Sequence, residues 1–426
     1  MRHGIITFNA NIKSGDEKMK AERNFPIAVI SEKAEKALKN GHVWVFGEEV
    51  REIIGSAEDG ELVDVVNRKG RFLGTGFFNS NSKIRVRIIS KNANDKFDAA
   101  FFERRFRYCF EYRKTVMGED FGCCRLVFGE ADSFPGLTVD RFGEILVTQT
   151  LSLGIEKRKE VLFPLMVKVL SEMGEKITAV YERNDVAIRE KEGMSENKGF
   201  FRSDFLRCDL DGKTVITENG IKYNIDYING QKTGFFLDQK YNRLAAGKIA
   251  KGKTVLDCFT HTGAFALNCA KMGAKHVTAV DISKDAIELT RENARLNNLQ
   301  NVSFECANVF ELLTRLYEEK SNVYDYIILD PPAFTKSGST LKNAERGYKE
   351  INMKAMKLLP RGGYLATCSC SHFMTDELFK KMLRSAAADA GVSLRQIEAR
   401  QQSPDHPILW SVPETDYLKF YIFQVV

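Results

Sequence analysis

From about residue 214 onward, short apolar runs at 254–258, 276–281, 302–306, 324–330 and 364–368 alternate with helical stretches at 264–272, 283–297 and 348–359. Strands buried on both faces read as continuous apolar runs, and the helices between them supply the covering layers. The alternation predicts a doubly wound, mostly parallel sheet, which binds ligands outside the carboxyl ends of its strands. At 426 residues the chain exceeds one ordinary core, and about three domains are expected. Residues 27–90 combine a short helix, capped by Ser31 and stopped at Gly41, with strand-like runs at 61–66, 70–78 and 83–89. That pattern predicts a small β-barrel or compact sheet. Residues 97–211 read as α+β. A basic amphipathic helix carries Phe101, Phe102, Phe106 and Phe110 with Arg104, Arg105, Arg107, Arg113 and Lys114. Strands follow at 124–129, 137–150 and 177–183, with a helix over 157–173.

Composition narrows the class without choosing a function. The chain is 43% hydrophobic and 28% charged, and 63 basic against 57 acidic residues leave a net charge of +6. This permits an anionic partner and does not demand one. No apolar run is long enough to span a bilayer, so no membrane association is expected. The first twenty residues show no signal-peptide core, and Met19 is a second candidate initiator. Nine cysteines, odd in number and without framework spacing, read as reduced thiols of a cytoplasmic protein.

Three segments carry chemistry. In Val255-Leu-Asp-Cys-Phe-Thr-His-Thr-Gly-Ala-Phe265 a strand ends in an acid, and a tight loop with one glycine leads into a helix. A diphosphate wants several glycines for close backbone approach, so a ligand without phosphates, such as a sulfonium amino acid, fits this loop better. Asp281 ends the next strand, where an acid can take both ribose hydroxyls. Together they point to S-adenosylmethionine rather than a dinucleotide. The fourth strand runs through Asp330 into Pro331 and Pro332, which stiffen the exit ahead of Phe334. The fifth holds Cys368 and Cys370, two residues apart and on one face if the strand stays extended. Zinc and redox roles are open for such a pair, but Cys-x-Cys without further ligands is a poor metal set, and no metal is expected. A thiolate nucleophile is the third option. Carbon 5 of a pyrimidine attacks a methyl sulfonium only after a thiolate has added at carbon 6.

These motifs resemble the bacterial class I ribosomal RNA cytosine-carbon-5 methyltransferases with an N-terminal PUA domain. The resemblance also rests on the run from Gly129 to Asp140, the run from Gln231 to Lys240, and the tail residues Asp405, His406, Pro413 and Glu414. It implies an N-terminal extension over 1–26, open to disorder, and a PUA-like RNA-binding barrel over 27–92. A central α+β domain over 93–213 and a Rossmann-like catalytic domain over 214–426 complete it. It implies S-adenosylmethionine held by Asp257, Phe259, Thr262 and Gly263, with Asp281 on the ribose and Asn308 accepting from the adenine amino group. Phe235 and Gln239 would form a lid. Cys368 would be the nucleophile with Cys370 in reserve, and Asp330 would hold the base. Phe334 and Pro331 would pack against it, while Arg85, Arg87 and Arg104 would contact RNA phosphates. The implied partner is large-subunit ribosomal RNA, and a homodimer is compatible. The alternatives are methylation of another base such as guanine N7, and a non-catalytic assembly factor with a methyltransferase fold.

Overall fold

The computed structural model describes residues 23–321, 323–335 and 338–426, and the chain forms two compact units. One runs to Leu210 and includes Ile408–Pro413, and the other spans Asp211–Pro407 and Glu414–Val426. The expected N-terminal extension up to residue 22, and the choice between Met1 and Met19, lie outside the described residues. Arg23 already belongs to the first unit. It donates to both carboxylate oxygens of buried Asp64 at 2.6 and 2.8 Å.

The first unit holds two sheets. The N-terminal one comprises β1 (Ile27–Ile30), β2 (Trp44–Phe46), β3 (Val50–Ile54), β4 (Leu62–Val66), β5 (Phe72–Phe78) and β6 (Ile84–Ser90). Their order is β2-β6-β5-β4-β1-β3. Helix α1 (Glu32–Lys39) starts where the Ser31 hydroxyl accepts the Ala34 N–H, the cap its sequence predicts. Ala28, Ile30, Val63, Val65 and Val86 form the core of this sheet.

The second sheet has the order β11-β10-β9-β8-β7, built from β7 (Cys123–Phe128), β8 (Leu137–Phe142), β9 (Ile145–Thr150), β10 (Ala179–Asn184) and β11 (Asn197–Phe200). The run at 137–150, read as one strand, is a hairpin in which Phe142 pairs with Ile145. Gly143, at φ +65°, makes the two-residue turn. Helices α2 (Ala99–Met117), α3 (Leu153–Glu156) and α4 (Lys159–Glu172) accompany this sheet. Helix α2 buries Phe101, Phe102, Phe106 and Phe110. It also buries Arg113, whose guanidinium forks onto Asp132 at 2.6 and 2.7 Å and donates to the Arg125 carbonyl.

The second unit opens with a hairpin, β12 (Lys213–Glu218) and β13 (Ile221–Asp226), followed by α5 (Lys240–Ile249). Its main sheet contains β14 (Thr254–Cys258), β15 (His276–Asp281), β16 (Val302–Cys306), β17 (Tyr326–Leu329), β18 (Tyr364–Ser369), β19 (Leu394–Arg400) and β20 (Lys419–Val425). The order is β16-β15-β14-β17-β18-β20-β19. The first five strands run parallel, and β20 pairs antiparallel with β18 and β19. Between them lie α6 (Ala264–Lys271), α7 (Lys284–Leu296), α8 (Val309–Glu318), α9 (Leu341–Leu358) and α10 (Asp376–Ala390). Every residue of β17 is buried, as a central strand covered on both faces must be. The order reverses at β14, whose neighbours β15 and β17 lead away in opposite directions, and a crevice opens at such a switch point. Among the described residues no helix is long and apolar enough to cross a membrane.

Removing one partner of a buried, forked ion pair leaves the other charge uncompensated. Arg113→Ala is expected to destabilise the first unit by about 3–5 kcal/mol, measured as a lower urea midpoint.

Candidate active site

The loop after β14 is held in an uncommon conformation. Phe259, His261 and Gly263 adopt φ of +65°, +51° and +82°. For the two non-glycine residues this costs about 1–3 kcal/mol each, so the surroundings must over-determine it. Several bonds do so. Thr260 donates to Asp257 Oδ2 at 2.6 Å, the His261 N–H donates to Asp281 Oδ2 at 2.9 Å, and Thr290 of α7 donates to the His261 carbonyl at 2.9 Å. A Cβ on Gly263 would lie 2.5 Å from the Thr290 methyl. The glycine is therefore required by the packing of α7 as well as by its φ, a cause the sequence reading did not contain. Thr262, read as a cofactor contact, is buried, and its carbonyl accepts from Asn293 of α7.

Asp257 is fully buried. Its Oδ2 accepts the Thr260 hydroxyl and the Ala266 N–H at the start of α6, and its Oδ1 has no partner. Burial, reinforced by the nearby Asp330 charge, raises its pKa from 3.8 to about 7. Asp281 is fixed by two backbone donors, Ser283 on Oδ1 and His261 on Oδ2, each at 2.9 Å. Each oxygen keeps a lone pair for a further donor. Beside it Ile282 is 70% exposed, an apolar surface at the strand end that the sequence reading passed over. Its signal was position, directly after a strand-ending acid. Asn308 caps α8, with Oδ1 accepting the Phe310 N–H at 2.9 Å. The cap uses one lone pair of Oδ1 and leaves the second, together with the Nδ2 donor, for a further partner.

Across the switch point, Asp330 at the exit of β17 meets Cys368 in β18. The thiol donates to Asp330 Oδ1 at 2.9 Å and lies 3.3 Å from the Leu329 carbonyl. Gln239 Nε2 sits over both, 3.0 Å from Asp330 Oδ1 and 3.5 Å from the sulfur. Its orientation is set in turn. Asn242 donates to Gln239 Oε1 at 2.7 Å, and Arg400 Nε donates to Asn242 Oδ1 at 3.2 Å. Gln239 is thus a bridge over the thiol and carboxylate rather than a lid. Burial raises the Cys368 pKa well above 9.0, and Asp330 adds to it. Burial also raises the Asp330 pKa. Cys370 lies beyond the end of β18, so the two thiols do not share an extended strand. Burial moves Cys370 to about 11.

Other expected contacts have different roles. Phe235 is a packed residue, buried at 2% exposure under the Arg243 guanidinium at 4.6 Å. Its neighbour Phe236 meets the His261 ring edge-on at 5.0 Å, a pairing not foreseen. Phe334 is half-buried. Its ring packs on Tyr348 of α9 at 4.6 Å and Phe310 of α8 at 5.8 Å, which anchors the strand exit after buried Pro331. In the first unit, Arg87 pairs with Glu130 at 3.1 Å and Glu192 at 2.8 Å. Two carboxylates neutralise it, so it ties the two sheets together and is not a free phosphate contact. Arg85 lines an open cleft of about 530 Å³ with Phe46, Asn81 and Lys83, and Arg104 is exposed on α2. Among the described residues no group of three or more metal-ligating acids, histidines or cysteines gathers. All nine cysteines are free.

The fit to a nucleoside-linked sulfonium is good on these observations. Asp281 presents two oriented oxygens, Ile282 a flat apolar surface, and Asp257 an unsatisfied buried oxygen below a strained loop.

A family model described as a PUA-like domain matches residues 29–91, and one described as an S-adenosylmethionine-dependent methyltransferase matches residues 202–423. The chain is 39% identical over 406 residues to the ribosomal RNA large subunit methyltransferase I of Salmonella arizonae, covering 95% of this chain and 98% of that one. It is 38% identical over 405 residues to the protein of the same name from Klebsiella pneumoniae, covering 94% and 99%. A solved structure described as a SAM-dependent methyltransferase from Streptococcus mutans shares the fold at TM-score 0.78 and 23% identity, over 94% of this chain and 100% of that one.

The Asp257 shift has a testable sign. Its folded pKa lies above the unfolded value, so between about pH 4 and 7 the folded state binds the proton more tightly. This group's contribution to stability therefore falls as pH rises through that window and is level above it. Asp257→Asn, always neutral, should gain stability relative to wild type from pH 4 to 7 and no further beyond. Urea midpoints across pH 4–9 without added cofactor check this, and a pH-independent difference would contradict it.

Proposed function

The chain belongs to the ribosomal RNA large subunit methyltransferase I family, and on that basis we propose that it methylates carbon 5 of a cytosine in large-subunit ribosomal RNA. The observation that carries this reading is the 2.9 Å contact between the Cys368 thiol and the Asp330 carboxylate at the mouth of the crevice. A ring nitrogen carries its own lone pair and needs no covalent help, whereas carbon 5 of cytosine does. The thiol–carboxylate pair therefore favours cytosine over guanine N7.

The residues act as follows in this reading. Cys368 is protonated at rest, because burial and the adjacent acid disfavour the thiolate. Asp330, its own pKa raised by burial, is a better base than an exposed carboxylate and takes the thiol proton as Sγ bonds to carbon 6. Gln239 donates to the sulfur while charge develops there. The protonated Asp330 then donates to N3 of the ring, which draws electron density from carbon 6. Bound S-adenosylmethionine supplies the electrophilic methyl group that carbon 5 takes up. Asp330, a carboxylate again once N3 is protonated, takes the carbon-5 proton, the Sγ–C6 bond breaks to restore the aromatic ring, and the N3 proton returns to the departing thiolate. Asp281 would hold the ribose of the cofactor, with Asn308 Nδ2 donating toward the adenine ring. Cys370, off the strand and without the Asp330 contact, is not the nucleophile.

Two measurements test this. Ribosomal RNA from a strain lacking the enzyme, incubated with methyl-labelled cofactor, should yield labelled 5-methylcytidine by nucleoside mass spectrometry. Cys368→Ala should yield none, and Cys370→Ala should still transfer label. Labelled methylguanosine would overturn the covalent scheme. Gln239→Ala should slow transfer roughly 10–100-fold, the worth of one hydrogen bond to a charged group. It should also move the basic-side pH dependence upward, because the developing thiolate loses a donor. An unshifted profile would remove Gln239 from the mechanism.

A further inference from the structure

Arg104, expected as a phosphate contact, belongs to a wider pattern on the exposed side of α2. Arg104, Tyr108 and Tyr112 stand at i, i+4 and i+8, so they form one stripe about 12 Å long. Arg104 is exposed, Tyr108 is 61% exposed and Tyr112 is 38% exposed. The opposite face of the helix is buried through its phenylalanines, so the stripe is not a by-product of a loosely packed helix. It borders a groove of about 410 Å³ lined by Phe101, Arg104, Arg105, Tyr108 and Ser133, with Asp95 and Asp132 in its wall.

The groove is built rather than incidental. The Arg105 guanidinium lies over the Phe101 ring at 4.3 Å and donates to the carbonyl of Ser133, a residue held at φ +59°. Its guanidinium is partly desolvated, which lowers its pKa, and an anion would restore what water no longer supplies. The acids do not cancel this. Asp132 is neutralised by the forked bond from Arg113, and the Asp95 carboxylate accepts from Ser90 and Asn92. In the groove two arginines face one acid, Asp95, that no cation among the described residues forks onto. Beside them stand Tyr108, exposed Glu111 and Tyr112, whose ring also meets the Arg113 guanidinium at 5.1 Å.

Phosphate recognition by guanidinium next to sequence-tolerant stacking on aromatic rings is the recipe for single-stranded nucleic acid. We propose that the Arg104–Tyr108–Tyr112 stripe and its groove form a second RNA-binding site, a platform on which single-stranded nucleotides outside the target base stack while Arg104 and Arg105 hold their phosphates. The proposal rests on the RNA methyltransferase reading and adds a site in the first unit, built from residues that the cofactor crevice does not use.

The test uses the full chain and a labelled single-stranded segment of large-subunit RNA. Tyr108→Ala with Tyr112→Ala should weaken binding on the order of ten-fold or more. KM for RNA should rise while kcat at saturating RNA stays unchanged. Tyr108→Phe with Tyr112→Phe should bind like wild type, since stacking needs the ring and not the hydroxyl. Arg104→Gln should lower the slope of log affinity against log salt by about 0.7. Unchanged affinity in the double alanine variant overturns the platform, and so does equal loss in the phenylalanine pair. Loss of binding to whole large-subunit particles with none on naked RNA would assign the stripe to a ribosomal protein and also overturn it. If the wild-type chain binds RNA but methylates none, the catalytic reading fails while the platform stands.

Discussion

The parallel register of β17 and β18 is the constraint on which the active site depends. Leu329 pairs with Thr367, so the next residues along, Asp330 and Cys368, reach the same level at the carboxyl edge of the sheet. A slip of one residue would turn one of these side chains to the opposite face and break the contact. Several features hold the register. β17 is buried throughout, Pro331 and Pro332 end it without a further donor, and Phe334 pins the exit between α8 and α9. On the far side β20 completes β18, with Phe420 opposite Cys368. The strand carrying the thiol is thus interior to the sheet, which explains both its precise placement and its raised pKa.

Burial shapes the chemistry around that register. Three carboxylates, Asp257, Asp281 and Asp330, end three adjacent strands, and their surroundings differ. Asp281 is half-exposed with two backbone donors, whereas Asp257 is fully buried with one oxygen unsatisfied. Asp330 faces a thiol and an amide. Like residues at like positions therefore divide into a fixed acceptor, a group poised near neutrality and a carboxylate hydrogen-bonded to a thiol. The amide of Gln239 belongs to the same design. Its orientation follows from Asn242 and Arg400, so the donor above the sulfur is set before any substrate arrives.

In the first unit, the cations show how far a charge pattern can mislead. Arg85 and Arg87 alternate with apolar residues and read as one basic face, yet Arg87 is neutralised by two glutamates from distant segments. Arg113 and Arg104 sit on the same helix, one wholly buried against Asp132 and the other exposed. A periodicity shows that a residue is charged and which way it faces on its own element. The counter-charge comes from elsewhere in the chain, up to 105 residues away for Arg87 and Glu192.

Local pattern alone determined much here. The strand–helix alternation, the Ser31 cap, the acids at strand ends, the proline-stiffened exit after Asp330 and the Cys368 position were all legible, because each is a property of a few consecutive residues. The hairpin turn at Gly143 was missed, because the apolar run on either side of the glycine reads as one continuous strand. Tertiary structure decided the rest: that Gly263 makes room for Thr290, that Asn308 turns its oxygen to a helix cap, that Phe235 and Phe334 pack inward, and that Gln239 bridges Asp330 and Cys368. Those facts depend on which segments meet in space. A linear pattern records the side chains that carry chemistry, whereas their partners are chosen by contacts between residues far apart in the chain.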